Sequence, residues 1–96
     1  MTGKVIVAPC IHWNGTSKGD LLETLADAFR AIGEAMDKLA KCCPHARDYY
    51  VIDSNAYNRA ATDHRARLRK LREVREELQA LAEAIHDGKT QAQMPD

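Results

Sequence analysis

The amino-acid sequence predicts a mainly α-helical protein, an antiparallel two-helix hairpin that assembles into a homo-oligomeric helical bundle. Two long amphipathic patterns flank a proline-containing connector, and this order of elements indicates the hairpin. A chain of 96 residues folded as a lone hairpin would bury only a small core. The second pattern is also longer than the first. We therefore expect other subunits to complete the core.

The first apolar stretch, Lys4–Ala8, is rich in β-branched residues and predicts a short strand or an extended arm. A strand would pair with Tyr49–Ile52 in a small parallel β-α-β unit, or with the edge of another chain. An arm would instead lie on a helix. The stretch is too short for a secretory signal or a membrane span, so we expect a cytoplasmic protein.

The first helix is expected to begin near Lys18, with Ser17 as its N-cap and Asp20 at the third helical position. Pro44 is expected to end it. Gly33 is either a weak point or a point of close packing. The predicted apolar heptad stripe consists of Leu22, Leu25, Phe29, Ile32, Met36, Leu39 and Cys43.

The second helix is expected to run from about Ala56 to His86 and to stop at Gly88, with caps offered by residues 53–55. Its apolar stripe has one irregular step, where a second three-residue spacing shifts the pattern. The stripe is Tyr57, Ala61, His64, Leu68, Leu71, Val74, Leu78, Leu81 and Ile85. The domain spans residues 1–88, and residues 89–96 form a polar C-terminal tail.

The formal net charge is zero, so the chain has no general attraction to nucleic acid. The charges are nevertheless unevenly placed, because residues 59–75 are mainly basic while the start of the first helix is acidic. In an antiparallel hairpin the connector end is then basic and the open end acidic. A solvated helix face explains this pattern simply, but it also favours antiparallel association of two hairpins.

The loop before the first helix has the chemistry of a phosphate or nucleotide site. Free backbone N–H groups at a helix N-terminus, hydroxyl groups and a lysine all suit phosphate. Capping alone explains Ser17, but it does not explain the residues that precede it. The spacing is not that of a Walker A loop. The predicted ligand-binding residues of this loop are His12, Trp13, Asn14, Thr16, Ser17 and Lys18.

The connector supplies a second predicted group of ligand-binding residues, Arg47, Tyr49 and Tyr50. A tyrosine ring can stack on a base and an arginine can bind phosphate through two hydrogen bonds. The alternative is that Asp48 pairs with Arg47 while the tyrosines cover the tip of the hairpin. His64 lies on the apolar stripe, which favours a buried and hydrogen-bonded histidine over a ligand contact.

The two polar groups lie at opposite ends of one hairpin. In an antiparallel oligomer the connector of one chain meets the first loop of another, and the groups form one composite pocket between subunits.

Cofactors and catalysis are not expected. Cys10, Cys42 and Cys43 form no common zinc module with the neighbouring histidines, and a reduced state is the simple interpretation. No set of nucleophile, base and orienting group has a recognisable spacing, so the prediction is a protein without enzymatic activity.

Two motifs together carry a resemblance. Residues 11–17 have the pattern I-H-x-N-G-T-S, and residues 47–50 read R-D-Y-Y after a proline. Over about residues 11–86 the chain resembles a family of short phage and prophage proteins with the motifs I-H-x-N-G-T-S and P-N-G-R-D-Y-Y-P. It departs from that pattern at His45, Ala46 and Val51.

The resemblance implies a phage-encoded anti-defence protein in the cytoplasm of the host bacterium. By analogy with sponge proteins, it would sequester a cyclic nucleotide or a cyclic ADP-ribose-like signal between subunits. The alternatives are an inhibitor or adaptor that binds a host defence protein, similar to an anti-CRISPR, and a nucleic-acid-binding protein that uses Arg65, Arg69 and Arg72.

Overall fold

The computed structural model describes residues 6–88, which fold as an antiparallel helical hairpin. Helix α1 spans Lys18–Ala40 and helix α2 spans Ala56–His86, with a 3-10 turn at Ala46–Asp48 in the connector. The described chain is elongated, with extents of 65 × 24 × 17 Å. Neither helix within residues 6–88 has the length and apolar character needed to cross a membrane.

Both ends of α1 follow from local sequence. The Oγ atom of Ser17 accepts a hydrogen bond from the backbone N–H of Asp20 at 3.1 Å, which satisfies one of the free donors of the first turn. The helix ends at Ala40, where the N–H of Lys41 donates to the carbonyl of Lys38 at 3.1 Å. The predicted start and N-cap are therefore confirmed, and Pro44 follows the end of the helix.

Helix α2 has the predicted bounds, but its cap differs from the simplest expectation. Asn55 occupies the N-cap position without a side-chain hydrogen bond. Asp53 instead binds on both sides of the cap, since its Oδ1 accepts the N–H of Asn55 at 2.8 Å and its Oδ2 accepts a hydrogen bond from Nη2 of Arg59 at 3.0 Å. At the far end Gly88 has φ of 74°, the left-handed conformation in which glycine terminates helices.

Two contacts fix the register of the helices. At the open end of the hairpin, Nζ of Lys18 donates to the carbonyl of His86 at 2.9 Å. Further along, Nε of Arg75 donates to the carbonyl of Phe29 at 3.4 Å. The same register places Ala40, the last residue of α1, level with His64 of α2. The first two turns of α2 therefore extend past α1, by about 12 Å at 1.5 Å per residue.

The residues between the helices correct two sequence predictions. Cys43 lies beyond α1 and is exposed, so it is not part of the α1 stripe, because the helix ends before it. Val74 is 45% exposed, and Arg75 takes the inward position instead. Ala82 also lines a groove between the two helices, in place of the predicted Leu81, which is itself half-buried. With these two exchanges the stripe follows a regular heptad spacing of His64, Leu68, Leu71, Arg75, Leu78, Ala82 and Ile85.

Gly33 marks a point of close packing between the helices. A Cβ atom at this position would lie 3.0 Å from Nη2 of Arg75. The absence of a side chain therefore lets the guanidinium of Arg75 lie flat between Gly33 and the ring of Phe29. Of the two interpretations that the sequence left open, close packing is the one that the structure supports.

The core of the hairpin is small. Among the described residues the buried apolar residues are Ala8, Ala56 and Ile85, and α1 contributes none. Its six apolar stripe residues from Leu22 to Leu39 are only half-buried. A hairpin with this little buried apolar surface has little hydrophobic stabilisation of its own.

Of the three alternatives for the N-terminal stretch, the β-α-β unit with Tyr49–Ile52 is wrong. Residues 49–52 lie in turns, where the N–H of Ile52 donates to the carbonyl of Tyr49 at 2.9 Å. Residues 6–8 of the predicted first strand have no regular structure, and Lys4 and Val5 lie outside the described residues. An extended arm agrees with these observations, because Ala8 is buried although it belongs to no helix or strand. The predicted tail, residues 89–96, also lies outside the described residues.

Candidate functional site

A cavity of about 260 Å³ lies at the connector end, where α2 extends past α1. The connector folds over part of the free turns of α2 and partly covers the space that α1 leaves open. The α2 residues that line this space are three or four residues apart, so they lie on one face of the helix. The cavity is lined by Cys42, Pro44, Tyr49, Ala60, Asp63, His64 and Arg67. We call it the connector cavity.

His64 is the most unusual residue of the connector cavity. The residue is only 7% exposed, and within residues 6–88 no group forms a hydrogen bond with its Nε2 atom. The predicted burial is thus confirmed, while the predicted hydrogen bonding of the imidazole finds no protein partner for Nε2 among the described residues. A buried polar atom without a partner destabilises the fold by about 1–3 kcal/mol. Such atoms are rare in native proteins and mark places where a water, an ion or a ligand group completes the hydrogen bonding.

Charges of both signs stand beside His64. Asp63 and Arg67 are four residues apart on α2 and both line the cavity. Asp63 provides acceptor oxygens, while Arg67 provides a planar fork of donors. The cavity therefore offers a donor, an acceptor and an imidazole to a single bound molecule.

Tyr49 forms the connector side of the cavity, where it is half-buried. The 3-10 turn positions it, since the N–H groups of Tyr49 and Tyr50 both donate to the carbonyl of Ala46 at 3.0 Å. Arg47 and Tyr50, the other predicted residues of the connector, are exposed and do not line the cavity. The structure thus brings Tyr49 together with His64 and leaves Arg47 and Tyr50 on the surface.

The end of the connector next to α2 is anchored by an ion pair. Both terminal guanidinium nitrogens of Arg59 donate to the carboxylate of Asp53, at 3.0 and 3.4 Å. This hydrogen bonding, aided by the N–H of Asn55, lowers the pKa of Asp53 below its ordinary value. The exposed pair fixes where the connector enters α2, just before the residues that line the cavity.

The loop before α1 lies at the other end of the hairpin, as the sequence predicts. The N–H of Gly15 donates to the carbonyl of His12 at 3.0 Å, and this turn leaves Trp13 91% exposed. Two predicted ligand residues already have structural contacts, because Ser17 caps α1 and Lys18 donates to the C-terminal end of α2. Asn14 and Thr16 are exposed.

Five lining residues were missed by the sequence predictions, and three of them, Cys42, Asp63 and Arg67, carry a thiol or a charge. The two α2 residues had a usable signal, because they stand next to His64 and one turn after it. The signal for Cys42 was absent, since the point at which the connector turns back is not visible in the sequence. Its thiol lies 3.6 Å from the carbonyl of Lys38.

The cysteines and possible metal ligands form no further site. Cys10, Cys42 and Cys43 are free thiols. Within residues 6–88 no group of three or more His, Cys, Asp or Glu side chains is arranged to hold a metal ion.

Comparisons with protein-family models, with curated proteins and with solved structures gave no match.

Proposed function

We propose that this protein is a non-enzymatic, oligomeric binding protein that sequesters a nucleotide-type signal. The connector cavity, with its buried and unpartnered His64, is the observation that supports this function. A sequestering protein needs a binding site and no catalytic group. The proposed biological setting, a phage protein that removes a host immune signal such as a cyclic nucleotide or a cyclic ADP-ribose-like molecule, comes from the sequence resemblance.

The residues of the cavity suit a nucleotide because a base carries donors and acceptors side by side on one edge. Asp63 would accept hydrogen bonds from ring or amino N–H groups, and Arg67 would donate to a carbonyl or a phosphate oxygen. Tyr49 would stack on the face of the base, which contributes about 1–3 kcal/mol in comparable sites. Binding would also give His64 the hydrogen-bond partner that it lacks.

A second subunit would complete the pocket. In an antiparallel pair, the loop before α1 of one chain lies near the connector of the other. The exposed Asn14 and Thr16, and the indole of Trp13, would then close the ligand from the outside, while Arg47 and Tyr50 would lie at the rim. Burial of most of a small ligand is typical of tight sites, so the composite arrangement suits sequestration.

A thermal-shift screen against cyclic mononucleotides, cyclic dinucleotides and cyclic ADP-ribose isomers tests this function. A ligand present at about 100 times its Kd stabilises the folded state by about 2.7 kcal/mol, so a hit raises the melting temperature measurably. Arg67→Gln and Tyr49→Ala should lose this rise. Lys70→Gln is the matched control, because it removes one positive charge from the same helix at an exposed position outside the cavity.

A rise in melting temperature that persists in both Arg67→Gln and Tyr49→Ala would place the ligand elsewhere. The absence of any rise across the screen would count against sequestration and would favour the second candidate, a protein-interaction inhibitor. The exposed apolar side chains of Trp13, Tyr50, Val51 and Ile52 support that candidate, since exposed aromatic residues are frequent in interfaces. Steeply salt-dependent binding to DNA or RNA would instead indicate nucleic-acid binding through the arginines of α2.

A further inference from the structure

An unbroken heptad stripe of polar residues runs along the exposed side of α2. Its members follow each other at alternating spacings of four and three residues, which keeps them on one face of a helix. All of them are exposed. The first half of the stripe is neutral and then basic, and the second half carries the acidic groups. The stripe consists of Asn58, Thr62, Arg65, Arg69, Arg72, Glu76, Gln79 and Glu83.

The stripe is complementary to itself when it is reversed. If two copies of α2 lie antiparallel and are centred level with Val74, three pairs form. Arg65 meets Glu83 of the second copy, Arg69 meets Gln79, and Arg72 meets Glu76. By two-fold symmetry each pair occurs twice. A shift of the register by one heptad towards the connector places Arg69 against Arg72 and keeps only the Arg65–Glu76 ion pair. A shift by one heptad the other way keeps only an Arg72–Glu83 ion pair, so the register centred on Val74 forms the most ion pairs of the three.

Exposed ion pairs alone contribute too little for stable association, about 0–1 kcal/mol each. The driving force must therefore come from apolar surface beside the stripe. A groove of about 370 Å³ runs between the helices near the open end, and its apolar lining comes from Leu22, Leu25, Ala26, Phe29, Leu78 and Ala82. Gln79 belongs to both the groove and the stripe. A partner that covers one of these features therefore lies against the other.

We infer that a second copy of this chain docks antiparallel on the face that carries the groove and the stripe. Apolar burial in the groove supplies the affinity, and the stripe selects direction and register. This inference rests on the oligomeric part of the proposed function. It identifies the surface and the register that would bring the connector of one copy near the loop before α1 of the other.

A pair of charge-reversal variants tests the docking surface. The acidic variant carries Arg65→Glu and Arg72→Glu, and the basic variant carries Glu76→Arg and Glu83→Arg. In a dimer of two copies of the same variant, four residue pairs bring like charges together. Each variant should therefore raise the dissociation constant of the dimer at least about tenfold. In an equimolar mixture every one of these positions pairs opposite charges again. The mixture should therefore form a one-to-one heterodimer.

Molar mass in solution, from light scattering or sedimentation, is the readout, and circular dichroism checks that each variant remains helical. The inference is supported if the wild type is dimeric or larger, each variant alone dissociates, and the mixture reassociates. It is overturned if the wild type is monomeric, if either folded variant alone keeps the mass of the wild type, or if the mixture fails to reassociate.

Ligand binding is measured separately by the thermal shift of the wild type, and this separates the two proposals. If the wild type binds a nucleotide but the charge-reversal variants keep the wild-type mass, the proposed function stands and this docking surface is ruled out. If the wild type dimerises as described but binds no nucleotide, the docking surface stands and the proposed function is ruled out.

Discussion

The guanidinium of Arg75 lies over the ring of Phe29, with Cζ 4.0 Å from the ring centroid. The same side chain donates from Nε to the carbonyl of Phe29. One charged residue thus joins α2 to both the side chain and the backbone of α1, in a position where a heptad pattern would place an apolar residue. In a hairpin with so few buried apolar side chains, this contact is a main support of the helix pairing.

Arg75→Ala is expected to lower the free energy of unfolding by about 1–2 kcal/mol, because it removes a cation–π contact and a hydrogen bond from a charged donor. Arg75→Lys keeps the charge but loses the planar group, so it should recover less than half of this loss. Urea unfolding of the three proteins measures both effects. Equal stability of Arg75→Lys and the wild type would show that charge alone matters.

Gly33→Ala probes the close approach of the same guanidinium. Alanine favours a helix over glycine by about 1 kcal/mol, but its Cβ would crowd Nη2 of Arg75. We expect the full gain only in the Arg75→Ala background, with a coupling of about 0.5 kcal/mol or more between the two sites. A double-mutant cycle by urea unfolding gives this number. Additive effects would mean that the arginine moves aside without cost.

Ser17 separates a capping role from a ligand role. Ser17→Ala should destabilise the protein by about 1 kcal/mol, since it removes the acceptor for the N–H of Asp20. Ser17→Asp keeps an acceptor and should retain wild-type stability. Its negative charge would repel a phosphate, so weaker ligand binding with unchanged stability would place Ser17 at the ligand. Unfolding curves and ligand-induced thermal shifts measure the two roles, and an undiminished stability of Ser17→Ala would contradict the cap.

Asp53 makes stability depend on acid pH. Its folded-state pKa lies below the unfolded value, because Arg59 and the N–H of Asn55 favour the charged form. The stabilisation is therefore present above the ordinary carboxyl pKa of about 3.9 and is lost as the pH falls through the lowered folded-state pKa. Asp53→Asn should be less stable than the wild type at neutral pH, and the difference should shrink below that range. Melting curves at several pH values test this, and a constant difference would contradict the assignment.

His64→Leu is expected to stabilise the free protein while it abolishes ligand binding. An apolar side chain of similar size removes a buried nitrogen that has no partner, which should raise the free energy of unfolding by about 1–2 kcal/mol. His45→Leu, an exposed change in the connector, serves as the control and should stay within about 0.5 kcal/mol of the wild type. A loss of stability in His64→Leu would indicate that the imidazole already has a compensating interaction.

The helices could be predicted from the sequence because their signals are local. Ser17 marks the start of α1, and Gly88 marks the end of α2, through contacts within a few residues. The proposed pairing of Lys4–Ala8 with Tyr49–Ile52 was wrong for the opposite reason. A β-branched run needs a partner strand, and residues 49–52 form turns whose hydrogen bonds close within the connector.

The candidate site could be predicted only in part, because it depends on the relative lengths and the register of the helices. The sequence singled out Tyr49 and His64 for separate reasons, and only the fold places them on one cavity. Arg75 was missed as a seam residue since its charge conceals its place in the heptad pattern. Its hydrogen-bond acceptor is a backbone carbonyl of α1, and a backbone group cannot be recognised from the residue types in the sequence.

The register also has a consequence for the order of folding. Lys18 and His86 are 68 residues apart in sequence, Phe29 and Arg75 are 46 apart, and Cys42 and His64 are closer still. Shorter loops close with a smaller entropic cost, so contacts between the two helices should form first near the connector and last near the termini. Arg75→Ala and connector variants would then slow refolding. Loss of the Lys18 contact would mainly speed unfolding, because that contact forms last.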